Sequence, residues 1–144
     1  MIDLSKYTKH GKFKLHSGQY SDTLYDVKEM IVDRKLPDII HNIVSKYKTD
    51  TFTTIVGIES AGAILATSLH FMCITTDLAI VTKDNKLIGK VTEPYLLIDD
   101  TSTTENTIRK AIEIIGKEPE KIFVVVDRRD KDKSSLKIDC MFRV

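Results

Sequence analysis

The chain has 144 residues, 42% of them hydrophobic and 30% charged, a balance too apolar for a disordered polymer and too charged for a membrane protein. At that length one hydrophobic core is enough, and no repeat, low-complexity tract or Pro/Gly/Ser linker divides residues 1–144. The 22 Lys plus Arg against 21 Asp plus Glu leave a formal charge of +1, so the broad basic field behind most nucleic-acid affinity is missing, and no nucleic-acid partner is expected.

After a polar first thirty residues, Pro37 suits the first turn of a helix whose apolar positions Ile39, Ile40, Ile43, Val44 and Tyr47 keep helical spacing and which ends near Lys48. Thr53 to Gly57 reads as a short buried strand, followed by a helix from Ala61 to Met72 with Ser60 as its cap. Leu78 to Thr82 is a second strand, KDNK a turn, LIGKV a hairpin partner, and Tyr95 to Asp99 a further buried strand. Ile108, Ala111, Ile112 and Ile115 line one face of a helix that ends at Gly116. Lys121 to Asp127 is a β-branched strand of the buried type, and LKIDCMFRV closes the pattern with a last strand. Strands alternating with helices predict a single α/β domain, a mostly parallel sheet with helices on both faces, which binds ligands at the strands' carboxyl ends.

The run from Ala61 to Ile74 carries Thr67, Ser68 and His70 and is shorter than the ~20 residues of a bilayer span, so no membrane partner is expected. The first residues bring Asp3 and several lysines before any apolar stretch, which does not suit a secretory leader. Cys73 and Cys140 lie far apart and outside any metal-binding spacing, as befits free thiols in a cytoplasmic protein.

Three strand ends carry polar groups that folding alone does not require: Gly57-Ile58-Glu59-Ser60, then Asp99-Asp100 with a Thr/Ser run, then Asp127-Arg128-Arg129. In LLIDDTSTTENTI, an apolar strand leads into two adjacent carboxylates, a hydroxyl-rich loop and a helix start. Amides at a helix N-terminus and the hydroxyls of Thr103, Thr104 and Thr107 can hold a phosphate monoester, while two carboxylates accept hydrogen bonds from ribose hydroxyls. The competing reading makes Thr103 or Thr104 a helix cap and the aspartates solvated loop residues. Arg128 and Arg129 are either anion contacts or a solvated loop end, and Tyr25 either stacks on a base or joins the core.

LLIDDTSTTENTIRKAIEII resembles the phosphoribosyl pyrophosphate motif of the type I phosphoribosyltransferases. FKLHSGQYSDTLYDVK is similar to the N-terminal signature of their orotate-specific branch, VVVDRRD to its next strand, and VGIESAGAILA to its pyrophosphate loop and following helix. The resemblance implies that residues 1–30 serve the base side and 31–144 form the α/β core. It assigns Asp99 and Asp100 to the ribose. Lys83, grouped with them as catalytic, and Lys86 either stand in for the family's basic hood as phosphate contacts or are solvated turn lysines. Phosphate and pyrophosphate fall to Ile58, Glu59, Ser60, Thr103, Thr104, Glu105, Asn106 and Thr107, and the base to Ser17, Gly18, Leu24 and Tyr25. It further implies Mg²⁺ carried on phosphoribosyl pyrophosphate rather than held by protein ligands alone, a nucleotide or orotate as the other ligand, and a homodimer. Two departures favour an alternative, a degenerate nucleotide-binding or regulatory member. Glu105 stands where the family loop has glycine, and only the twelve residues Lys83 to Pro94 separate two strands between which the orotate enzymes carry a long basic hood. An inward-facing Glu105 would repel phosphate by on the order of 4 kcal/mol, so its replacement by glycine is expected to strengthen binding about tenfold.

Overall fold

The structure, a computed structural model, describes residues 1–15, 18–73 and 75–144. Its main sheet has six strands: β3 (Thr54–Ile58), β4 (Asp77–Val81), β5 (Leu87–Ile88), β6 (Tyr95–Ser102), β7 (Lys121–Asp127) and β8 (Asp139–Arg143), in the spatial order β5-β4-β3-β6-β7-β8. All neighbours pair in parallel except β5, which returns antiparallel on β4.

The central strands are apolar runs because both of their faces are covered. Ile55, Leu96, Ile98, Phe123 and Val125 point to one side with Ile39, Ile43, Leu65 and Leu69, from helices α2 (Leu36–Lys46) and α3 (Ala61–Met72). Val56, Leu97, Ile122 and Val124 point to the other, where Ile108 and Ala111 of α4 (Asn106–Ile115) meet them. Alternate residues of each strand thus enter separate cores, as the period of two demands. Gly116 ends α4 in the left-handed conformation, with its N–H on the Ile112 carbonyl.

Several features differ from the sequence pattern: the hairpin partner expected over LIGKV is only Leu87–Ile88, and the helix expected to end near Lys48 ends at Lys46. The strand expected to stop at Asp99 continues to Ser102, because Asp99, Thr101 and Ser102 pair with Val124, Val126 and Asp127 of β7. The Ser60 side chain makes no capping hydrogen bond to α3. The polar N-terminal segment contains a two-stranded antiparallel ribbon, β1 (Thr8–Lys14) and β2 (Tyr20–Tyr25), followed by the short helix α1 (Val27–Met30). Most of β1 is exposed, so the ribbon lacks a continuous apolar face that would reveal it in sequence. Buried Tyr7 and Val27 anchor it at its base.

Helix α3 lies unusually close to the sheet. A Cβ on Gly57 would come within 2.4 Å of the Gly62 carbonyl oxygen, and one on Gly62 within 2.6 Å of the Ile98 carbonyl oxygen and 2.9 Å of Asp99 Cα. Both obstacles are backbone, so neither can swing away. Gly62→Ala is accordingly expected to destabilise the protein by about 1–3 kcal/mol, the usual cost of overpacking. Urea titration of the two proteins checks it, and equal midpoints would show that α3 has slack against β6.

Candidate functional site

The carboxyl ends of β3, β6 and β7 open into one cavity of about 310 Å³, closed on its far side by the end of β2 and by α1. From β3 come Ile58, Glu59 and Ser60, from β6 Asp99 through Ser102, and from the following loop Thr103 through Thr107. Leu24 and Tyr25 face these from the ribbon. Gly18, with φ 86°, closes a turn by donating its N–H to the Leu15 carbonyl and does not line the cavity. Ser17 lies outside the described residues, as does the neighbouring His16. Lys83 lines an adjoining groove that shares Ile58, Glu59, Asn106 and Thr107 with the cavity, and its backbone N–H donates to Glu59 Oε1 at 3.0 Å.

Asp99 is buried where β6 reaches the cavity, and Asp100 is partly exposed beside it. Each carboxylate accepts the next residue's backbone N–H, Asp99 that of Asp100 at 2.8 Å and Asp100 that of Thr101 at 2.7 Å. Burial, reinforced by the neighbouring Asp100 charge, pushes the Asp99 carboxyl well above its ordinary value. An acid in such a place lowers its energy by accepting donors from a ligand.

Beyond the acids, the hydroxyl oxygens of Thr101, Ser102 and Thr104 are buried without a hydrogen-bond partner. The first-turn amides of α4 fall outside its internal hydrogen bonding, and no side chain caps them. Unpartnered hydroxyls next to an uncapped helix N-terminus form a cradle suited to an anion. The Thr101–Thr104 segment is therefore neither a capping loop nor a solvated one.

Glu105 overturns the expectation of a repelling charge. Its backbone adopts the left-handed conformation, φ 69°, which glycine takes freely and other residues at a cost of roughly 1–2 kcal/mol. Its side chain, only 4% exposed, turns behind the loop to the Arg129 guanidinium and also accepts from Arg109 Nη2 at 3.0 Å and the Leu136 amide at 3.2 Å. Arg129, equally buried, makes a bidentate pair with Asp127 through Nε and Nη2, each 2.9 Å from a carboxylate oxygen. Arg129 is thus neither an anion contact nor a solvated loop end. Burial raises both carboxyls, yet the Arg129 guanidinium and the surrounding amides outweigh it, holding Glu105 and Asp127 below their ordinary values.

Arg128 points the opposite way. It lines the cavity, lies with its guanidinium carbon 5.0 Å from the Tyr25 ring centroid, and donates to the Thr23 carbonyl and Ser21 Oγ, both at 2.9 Å. This bridge joins the sheet to the ribbon. Lys14, at the end of β1, and Lys28, in α1, add two exposed cations at the cavity's edge, and nothing in a polar segment rich in lysine marks these two in sequence. Among the described residues no group of three His, Cys, Asp or Glu is placed to hold a metal ion, and no helix is long and apolar enough to cross a membrane.

No family model matches the chain. In the solved structures the same architecture recurs in phosphoribosyltransferases. The Aeropyrum pernix orotate enzyme superposes with a TM-score of 0.78 at 20% identity, over 97% of this chain and 91% of its own. The Rhodothermus marinus adenine enzyme gives 0.70 at 16%, over 98% and 96%. The fold is that of the phosphoribosyltransferases. Sequence narrows the class: the orotate phosphoribosyltransferase of Pyrococcus horikoshii is 31% identical over 143 residues, 89% of this chain and 76% of that one, and that of Methanosphaera stadtmanae 30% identical over 142, or 90% and 79%. The chain belongs to the orotate phosphoribosyltransferase family.

The raised Asp99 and the lowered Glu105 and Asp127 act oppositely on stability. A folded pKa raised by burial and by the Asp100 charge makes Asp99 a cost to stability at pH above its ordinary value of 3.8, absent below that value where both states are protonated. Asp99→Asn is therefore expected to melt higher than wild type at pH 7, with the gain vanishing towards that pH. The depressed pair contributes stability above the ordinary values of 4.5 for Glu105 and 3.8 for Asp127, lost as pH falls through the lower folded values. Melting curves between pH 7 and 2.5 should show that loss in wild type and a shallower one in Glu105→Gln. Parallel profiles would contradict the ion-pair account.

Proposed function

We propose that the protein binds phosphoribosyl pyrophosphate and transfers its phosphoribosyl group to orotate or a related pyrimidine. The observation that carries the reading is one cavity holding a strand-end acid pair beside three unpartnered buried hydroxyls, on the end of β6 and the loop that leads into α4. In this assignment Asp99 and Asp100 accept the ribose hydroxyls, and residues 101–107 hold the 5′-phosphate. Ile58 to Ser60 face the pyrophosphate, with Lys83 reaching it from the adjoining groove. Leu24 and Tyr25 border the base, and Arg128 supplies the cation that suits an anionic pyrimidine. Any Mg²⁺ would be carried by the pyrophosphate, whose charge it would neutralise. The carboxylate oxygens of Asp100 and Glu59, both on the cavity lining, would suit that hard ion as additional donors. What the residues contribute to displacement at the anomeric carbon is positioning and fixed charge, and the reaction needs no covalent nucleophile.

A reading as a binding protein without turnover has its own support. The connection from β4 to β6 consists of a turn, the two-residue β5 and a short return, so a long basic hood has no room there. We further propose a homodimer in the cytoplasm. The family resemblance supports the first, and the free thiols of Cys73 and Cys140 the second.

Purified protein given Mg²⁺, phosphoribosyl pyrophosphate and orotate is expected to consume orotate absorbance. Binding alone should raise the melting point, with about 2.7 kcal/mol of stabilisation at a hundredfold excess over Kd. The Asp99→Asn/Asp100→Asn double variant should stay folded and lose that ligand-induced shift. Stabilisation without orotate loss would select the turnover-free reading. Melting unmoved by millimolar phosphoribosyl pyrophosphate and nucleoside monophosphates would defeat both.

A further inference from the structure

The loop that faces the anion cradle is braced from behind. Both oxygens of Glu105 are engaged: Oε1 by Arg109 Nη2 and the Ser135 hydroxyl, Oε2 by Arg129 Nη1 and the amides of Ser135 and Leu136. Five donors meet the roughly four lone-pair sites of a carboxylate, so nothing remains to meet a ligand. Arg129 is fixed in turn by Asp127 and by the Leu136 carbonyl, which accepts from Nη1 at 2.8 Å. Asp127 sits opposite Ser102 in the β6–β7 pairing, and Arg143 Nη1 holds its outer oxygen at 2.9 Å. The polar path closes on itself, from Ser102 across the sheet to Asp127, through Arg129 to Glu105, and back along the loop to Ser102.

We propose that Glu105 is a positioning residue for phosphate binding. Its buried carboxylate clamps residues 103–107 to the segment 129–136. The clamp keeps the left-handed turn at 105 in place, and with it the hydroxyls of Thr101, Ser102 and Thr104 and the first amides of α4. Two guanidinium groups neutralise the charge, so it does not oppose an anion on the other side of the loop. Where the family pattern supplies glycine for the turn, this chain obtains it by ionic bracing. A held loop spends less of its binding energy on ordering itself around the ligand. The inference rests on the phosphate reading of residues 101–107 given above, and its test separates the two.

The experiment compares wild type, Glu105→Gly and Glu105→Gln by calorimetry with phosphoribosyl pyrophosphate and Mg²⁺, by steady-state kinetics, and by hydrogen exchange of amides 102–107 in unliganded protein. Glycine keeps the turn and removes the brace; it should raise Kd and KM for phosphoribosyl pyrophosphate about tenfold, leave KM for orotate within threefold, and speed loop exchange at least tenfold without altering exchange in β3. Glutamine keeps the shape and one acceptor oxygen but sets an NH2 against donors at the other position, so it should recover only part of that loss. A folded Glu105→Gly that binds as tightly as wild type, or more tightly, overturns the proposal. So does a uniform fall in activity that follows only the fraction of folded protein. Should Glu105→Gly not fold, Glu105→Gln decides, with a threefold loss expected and none overturning. If wild type binds no phosphoribosyl pyrophosphate, the function assigned above fails, and loop exchange alone decides whether the brace exists.

Discussion

The contact on which the cavity depends is backbone against backbone, where α3 rests on β3 and β6 through Gly57 and Gly62. Neither glycine puts a side chain of its own between the two elements, so the start of the helix after β3 is set close against the end of β6. That contact brings Glu59 and Ser60 to the cavity that Asp99 also lines. Interiors packed at crystal-like density transmit such constraints with little slack. Everything polar in the cavity is arranged on a frame whose tightest joint is main chain against main chain.

The second constraint is ionic and lies on the opposite flank. Glu105, Arg129 and Asp127 are buried together, a costly arrangement unless every lone pair and proton is used. Here almost all are, by each other, by Arg109 and Arg143, and by amides of residues 129–136. One flank is thus held by the absence of side chains and the other by their mutual saturation. Between them lie the groups left unsatisfied, Thr101, Ser102 and Thr104. Polar atoms without partners between two rigid flanks mark where a ligand's own polar atoms belong.

Much of this was legible in the chain itself, for reasons that can be named. The strands flanking the site are buried on both faces, so their β-branched runs announced them, and Asp99 and Asp100 stood out by following such a run. Of the three hydroxyls expected to donate to a phosphate, Thr103, Thr104 and Thr107, Thr104 is one of the buried unpartnered ones, and Thr101 and Ser102 join it because β6 runs on past Asp99. What sequence could not convey was direction. Glu105 and Arg129 are separated by twenty-four positions, and no local pattern says that one folds behind the loop to meet the other. Arg128 and Arg129 are adjacent and chemically alike, yet one faces the cavity and the other the core, because successive residues leaving a strand project to opposite sides. The ribbon escaped notice because its stability comes from anchors at its base and from a tertiary bridge, and neither leaves a period-two trace.

That bridge bears on how the molecule comes into being. The partners of Arg128, Ser21 and Thr23, precede it by 107 and 105 positions. On a translating ribosome at roughly 5–20 residues per second, the ribbon therefore waits on the order of 5–20 s for the arginine that ties it down. During that interval its two strands have little to pack against, since isolated hairpins are marginal in water. The base side is made first and docked late, so a nascent chain carries half of a binding cavity long before it can bind anything.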